Sequence, residues 1–384
     1  MIKTDNIYRV ALVIQTSNLD YDDRVRKELV SIKELYPNVQ FQIFALYNEN
    51  KSEEGVTSYG IPYKVYYLKS RDKYVSASHL FKKAWEFYSI VKPELRMYDA
   101  IWCADFHVFL FALLLHGKPI LWDLHELPYL LIGSWWKRLL FRIIENKSNV
   151  IIHANQPRLD YLKKIGMVKH PEKHFVIRNY PDFNEVDTVY DETYQAFDKW
   201  LGNDKCVYLQ GINNSDRADM ESISAVMCFE ELKAVIVGRI DDTLYERLMA
   251  KFGKEAVEKR LFFTGMIKQL KTPQYIRRSF MSLVFYKNTS MNNWYCEPNR
   301  FFQNIINGNP VVVGNNPPMK ELVEKFGVGI CARTDGTDVT MISEAIASLM
   351  NQYETLKKNC LSFSEKIMWH NQETTIQKVM NTFI

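Results

Sequence analysis

Three aspartates, two arginines and a lysine stand close together in the stretch NLDYDDRVRKEL, residues 18–29. Asp20-Tyr21-Asp22 has the Asp-x-Asp form that can hold a divalent cation against a diphosphate, while Asp22-Asp23 also has the form of an acidic helix start. The helix start fits better. Val25, Leu29, Ile32 and Leu35 keep a helical face behind it, and no second carboxylate or histidine follows at ligand spacing. Asp22 or Asp23 is then the N-cap, with its charge at the positive helix end, and Arg24 and Lys27 can still reach into the cleft.

A second group closes an apolar run. In PILWDLHELP, Asp123, His125 and Glu126 stand at what reads as a strand end, where a histidine beside a carboxylate can be polarised toward a hydroxyl or a leaving phosphate. The alternative is a histidine capping the next helix. A third group, LQGINNSDRADM, follows another strand with Gly211, Asn213, Asn214, Ser215 and Arg217 before a helix, which suits an anion held by loop N–H groups and one guanidinium. A fourth, NWYCEPNRFFQNIINGNPVVV, opens a helix with Glu297, Asn299, Arg300 and Gln303 while Phe301, Phe302, Ile305 and Ile306 supply its apolar side. The segment GVGICA at 327–332 matches the dinucleotide fingerprint in letters only. A helical stretch precedes Gly327 and a strand follows, the reverse of the required order, so Gly327 reads as a helix C-cap.

These groups need elements to hold them, and the chain supplies strand-like runs alternating with helical stretches, as in parallel sheets with crossover helices. The runs are YRVALVIQ, FQIFAL, KVYYL, DAIWCAD, PILWDL, NVIIHA and HFVIRN in the first half, then CVYLQG, KAVIVG, LFFTG, MSLVFY, PVVVGN and GICAR. At 384 residues, two α/β domains are expected. The boundaries read as 1–183, an acidic linker at 184–203, a second domain at 204–368 and a closing helix at 369–384. Ligands of such sheets sit beyond the strands' carboxyl ends, which is where all four groups fall.

Composition narrows the class. Hydrophobic residues at 47% and charged residues at 24% exclude a disordered or fibrous chain, and a net charge of +4 does not call for nucleic acid. Six cysteines without a Cys-x-x-Cys pair suit a reducing compartment. MIKTDNIYRV places an acid before a short strand and does not read as a signal peptide, so a cytoplasmic protein is expected. GSWWKRLLFRIIENK (133–147) sets Trp135, Trp136 and Leu139 among Lys137, Arg138 and Arg142 on a helical period, and SHLFKKAWEFYSIVK (78–92) is similar in character. Each is either a helix packed on its own sheet or a peripheral contact with the inner face of an anionic membrane.

On these pieces the chain resembles the retaining GT-B glycosyltransferases of family 4, also called glycosyl transferases group 1. The matching segments are DDRVRKEL, WDLHE, VIRNYPDF, LQG with Arg217, AVIVGR ending at Arg239, FFTGMI, PNRFFQNIINGNPVV and MWHNQETTIQKV. The resemblance implies a GT-B architecture, two Rossmann-like doubly wound domains facing a central cleft. It implies donor-side roles for Gly211, Asn213, Arg217, Arg239, Glu297, Asn299, Arg300 and Gln303, with Arg217 on the diphosphate. It places His125 by the donor sugar, beside Asp123 and Glu126, and Asp22, Asp23, Arg24 and Lys27 on the acceptor side. Two departures stand out. The family's Glu-x7-Glu falls on Tyr295 and Gln303, with Glu297 the nearest replacement, and no glycine-rich turn follows the first strand.

The function expected is metal-independent, retaining transfer of a sugar from a nucleoside-diphosphate sugar to a cell-surface polysaccharide or lipid-linked glycan precursor, with no cofactor. The lost glutamates support an alternative, a glycosyltransferase-like scaffold without activity in a glycan-assembly complex. A sugar-nucleotide epimerase of the same fold is a third reading.

Overall fold

The computed structural model describes residues 7–16, 19, 22–46, 52–70, 80–182 and 190–384. Asp20 and Tyr21 of the Asp-x-Asp motif, and Ser78 and His79, lie outside the described residues. The chain divides into two compact units, Met1–Arg178 with Gln372–Ile384, and Asn179–Asn371.

The first unit carries β1 (Tyr8–Ile14), β2 (Val39–Leu46), β3 (Glu53–Val56), β4 (Pro62–Tyr66), β5 (Ala100–Ala104), β6 (Ile120–Leu124), β7 (Val150–His153) and β8 (His174–Val176). They form one sheet in the order β3-β4-β2-β1-β5-β6-β7-β8, parallel except for the β3–β4 pair. β5, β6 and β7 are buried along their whole length, the mark of strands covered on both faces, and this is why they read as unbroken apolar runs. The covering helices include α1 (Asp23–Leu35), α2 (Leu80–Val91), α3 (Phe109–Leu114) and α4 (Trp135–Lys147). The closing helix Glu373–Phe383 packs against α1.

The second unit carries β9 (Lys205–Gln210), β10 (Leu232–Val237), β11 (Leu261–Gly265), β12 (Met281–Val284), β13 (Val311–Val313) and β14 (Gly329–Cys331), all parallel, in the order β11-β10-β9-β12-β13-β14. Two differences from the sequence reading stand out. The stretch 184–203 is not a plain linker: Glu192–Leu201 is a helix, capped by Asp191, that buries Phe197 and Leu201 against Tyr208 and Tyr275 in the second unit's core. Its acidic residues hid an apolar face made of Tyr194, Phe197, Trp200 and Leu201. β3 was also hidden, because EEGV is a short antiparallel edge strand with two adjacent glutamates and no apolar run to show it. Among the described residues no helix is long and apolar enough to cross a membrane.

Candidate functional site

The chain leaves β9 toward β10 and β11 on one side and returns through β12 to the other, so the carboxyl ends of β9 and β12 lie side by side where the winding reverses. That crevice is where an open α/β sheet binds ligands. Gly211, just past β9, takes φ +59° and turns its carbonyl toward Arg217, whose Nη1 donates to it at 2.6 Å. Arg300, on the first turn of the helix Asn299–Ile306, donates Nη1 to the carbonyl of Gln210 and Nη2 to that of Phe285 at 3.2 Å. Both guanidinium groups lie by one ring, Tyr286, at 5.6 Å for Arg217 and 5.0 Å for Arg300. The acids that follow Arg217 are committed elsewhere, Asp219 to Arg247 at 3.8 Å and Glu221 to Lys287 at 2.7 Å. Burial lowers the pKa of Arg300, and the charge of Arg217 pushes the same way. Two like charges held by carbonyls and a π face, with no paired carboxylate among the described residues, form a site that an anion would stabilise.

Gly211 tests this placement. A Cβ at Gly211 would stand 2.8 Å from Arg217 Nη1, and an L-residue in the left-handed region costs about 1–2 kcal/mol. Gly211→Ala is expected to stay folded, displace the guanidinium and weaken the binding of a diphosphate anion such as pyrophosphate by roughly tenfold, the worth of one charged hydrogen bond. Calorimetric titration of both proteins reads it, and equal affinities would contradict the placement.

In the first unit the N-terminal half of α1 meets the end of β6. Asp22 is the N-cap, its carboxylate accepting from Val25 N at 3.2 Å, and Asp23 binds Arg26 at 2.5 Å and Lys27 at 2.7 Å. Arg24 joins three groups: Ile177 O at 2.8 Å, Asp123 at 3.0 Å and Glu28 at 2.9 Å. Asp123 in turn holds His125 Nε2 at 3.1 Å, and Arg158 Nη1 donates to the His125 carbonyl at 2.7 Å. Burial drives the Glu28 carboxyl well above its usual range, with Arg24 opposing the shift and Asp123 adding to it. Burial also opposes ionised Asp123, but Arg24 and His125 outweigh it and hold the carboxylate well below the usual range. For His125, burial favours the neutral ring, and contact with Asp123 overcomes this and raises it to about 9.

The imidazolium therefore persists at neutral pH, with Nδ1 as the ring nitrogen not bound to Asp123. A raised pKa means that its contribution to stability is full below about 6.5, the unfolded value, and fades as pH climbs through about 9. Histidine-ring NMR should show a midpoint near 9 for His125, falling in Asp123→Asn; a midpoint at or below the unperturbed value would contradict the ion pair. Ligand atoms of Glu28, Asp123 and His125 lie within 4.8 Å of one another, close enough to hold a metal ion. Arg24 already touches both carboxylates, so the guanidinium supplies there the charge that a metal would bring.

Solved structures resemble the chain along nearly its whole length. HepE of Anabaena in complex with UDP superposes with a TM-score of 0.68 at 15% identity, covering 98% of this chain and 100% of that one. Sucrose-phosphate synthase of Thermosynechococcus elongatus gives 0.75 at 13% identity over 97% and 98%. An alpha,alpha-trehalose-phosphate synthase (UDP-forming) of Burkholderia vietnamiensis gives 0.69 at 12% identity over 99% and 100%. The fold is GT-B. No protein-family model and no curated protein sequence matches the chain.

Within this GT-B chain the residues singled out in the sequence divide by position. Gly211, Arg217 and Arg300 converge on the crevice of the second unit. Asn299 and Gln303 share the helix of Arg300, Asn299 half-buried and Gln303 buried, and Glu297 precedes it, half-buried. Asn213 accepts from Asp241 N at 3.0 Å and so ties the loop after β9 to the loop after β10. Arg239 stands exposed just past β10. In the first unit Asp123 and His125 meet, whereas Glu126 points to solvent.

Arg24 and Lys27 correct an expectation. Read as cations that reach toward a ligand, both are buried and held by carboxylates of their own unit, because α1 is covered on the face of Arg24, Lys27, Glu28 and Ser31 as well as on that of Val25, Leu29 and Ile32. Sequence reasoning missed Glu28 and Tyr286. Glu28 had a signal, a charge one turn after Arg24 on the apolar side of its helix. Tyr286 had only its place at the end of MSLVFY.

Proposed function

We propose that this protein is a glycosyltransferase that moves a sugar from a nucleoside-diphosphate sugar to a hydroxyl of a glycan or lipid-linked acceptor, without a metal and with retention, in the manner of family 4. The observation that carries the proposal is the pair of guanidinium groups, Arg217 and Arg300, at the winding reversal of the second unit's sheet. In the reaction the bond from the sugar's C1 to the β-phosphate oxygen breaks, and a bond from C1 to the acceptor oxygen forms on the same face. The acceptor proton passes to the departing phosphate. Arg217 and Arg300 neutralise the charge that develops on the leaving group, the role a metal plays elsewhere. His125, fixed by Asp123, donates from Nδ1 to a sugar hydroxyl. Structures of HepE with UDP and with UDP-glucose support UDP as the first nucleotide to test. The free cysteines, Cys103 and Cys206 among them, suit a cytoplasmic setting.

A second reading rests on one observation. Gln303, a neutral amide that is 2% exposed, stands where the family carries a glutamate, which suits nucleotide binding without turnover by a scaffold protein. Incubation with UDP-sugars, followed by assay of free UDP and by NMR of the product anomer, separates the two. Acceptor-dependent UDP release with an axial product from an axial donor is expected; saturable UDP binding with no release would favour the scaffold.

A further inference from the structure

The right-handed crossovers from β4 to β5, β5 to β6 and β6 to β7 place α2, α3 and α4 on one face of the first sheet, with α3 touching both of its neighbours. The inner sides of α2 and α4 are spent on the core: Phe87 and Val91 on one, Phe141 and Ile144 on the other. Their outer sides are not polar. Trp135 is 77% exposed, Phe81 58% and Trp85 50%, with Trp136 and Leu139 nearly as open. Phe81 and Trp85 stack in solvent at 6.4 Å between ring centroids, and Lys137 lies over the ring of Trp136 at 5.5 Å. Isolated exposed apolar residues are ordinary, but five large ones on two helices that flank a third are a surface feature.

The charge on these helices has one sign. Lys83, Lys137, Arg138 and Arg142 lie on them. Their two acids are turned to internal work: Glu86 accepts from the N–H groups of Lys69 and Ser70 at 3.0 and 2.8 Å, and Glu145 is fully buried, accepting from those of Lys169 and His170 at 2.7 and 2.9 Å. Tryptophan places an apolar body and a polar N–H at a boundary between water and hydrocarbon, and lysine and arginine bury their stems there while the charge stays wet.

We infer that the outer face of α2 and α4 docks on an anionic lipid surface, Trp135, Trp136, Leu139, Phe81 and Trp85 entering the headgroup boundary while Arg138 and Arg142 meet lipid phosphates. This inference stands apart from the transfer reaction, because it uses no residue of the crevice or of the Asp123 cluster. Flotation of the full chain with two vesicle compositions tests it: phosphatidylcholine alone, and phosphatidylcholine with an equal part of phosphatidylglycerol. Binding to the anionic vesicles, weakened by salt, is expected. Arg138→Gln with Arg142→Gln should lower the partition coefficient by roughly 30-fold, two surface charges of about 1 kcal/mol each. Trp135→Ser with Trp136→Ser should abolish the binding that remains in salt. Trp135, Trp136 and Arg142 are exposed and Arg138 is half-buried, so circular dichroism should report both variants folded. Folded wild-type protein that stays in the aqueous fraction with both vesicles would overturn the inference, as would double variants that float like wild type. Concentration-dependent self-association lost in the tryptophan variant, with vesicle binding unchanged, would overturn it in favour of an interface between copies.

Discussion

Arg217→Ala is expected to leave the protein folded and nearly to abolish its use of nucleoside-diphosphate sugars. Arg217 is half-buried, and among the described residues its side chain makes one hydrogen bond, to the Gly211 carbonyl, so its removal should cost about 1 kcal/mol of stability. Binding should suffer more. A guanidinium hydrogen-bonded to a phosphate contributes about 1.5–3 kcal/mol, a loss of roughly 10- to 150-fold in affinity for the free nucleotide. The rate should fall further than the affinity, because charge on the leaving diphosphate grows as the C1–O bond breaks; comparable losses of a single preorganised donor cost about 10²–10³ in turnover. Arg217→Lys keeps the charge without the fork and should fall between the two. Steady-state kinetics beside calorimetric affinities would show it, and unchanged turnover in Arg217→Ala would remove Arg217 from the reaction.

The second large effect is on stability. Arg24→Met deletes the group that Asp123, Glu28 and the Ile177 carbonyl share inside the first unit. Asp123 has no accessible surface, so its charge would be left with His125 and the neighbouring Glu28 but no guanidinium. Removing one partner of a buried ion pair costs about 3–5 kcal/mol, chiefly through the charge left behind. The expected signature is a lower midpoint for the first unit in denaturant, with a smaller deficit under acid conditions where Asp123 takes up a proton. Asp123→Asn in the Arg24→Met background should recover part of the loss, since it removes the orphaned charge. A single variant as stable as wild type would mean that Asp123 is hydrated in the native protein.

Much of the fold was legible because parallel strands buried on both faces leave unbroken apolar runs, and thirteen such runs became thirteen of the fourteen strands among the described residues. What escaped obeys different physics. β3 is an edge strand defined by pairing to β4 and not by an apolar side, and the helix Glu192–Leu201 shows a mostly polar surface. The site was legible only in part. Gly211 and Arg217 could be found together, being neighbours in one loop. Their meeting with Arg300 and Tyr286 depends on β9 and β12 pairing across the winding reversal, over a sequence distance that no local pattern reports. Arg24 misled for a similar reason. A cation on the first turn of a helix looks available until the strand that opposes it is known, and here that strand ends in Asp123.

The claim that Arg217 and Arg300 form a diphosphate site is tested most directly by thermal unfolding of the purified chain with UDP, GDP, ADP and the matching monophosphates. A nucleoside diphosphate at about 100 times its dissociation constant should add roughly 2.7 kcal/mol of stability. The expected result is a clear rise with one diphosphate, a much smaller rise with its monophosphate, and neither in Arg217→Ala. Folded protein that responds to no diphosphate, or equally to mono- and diphosphate, would contradict it.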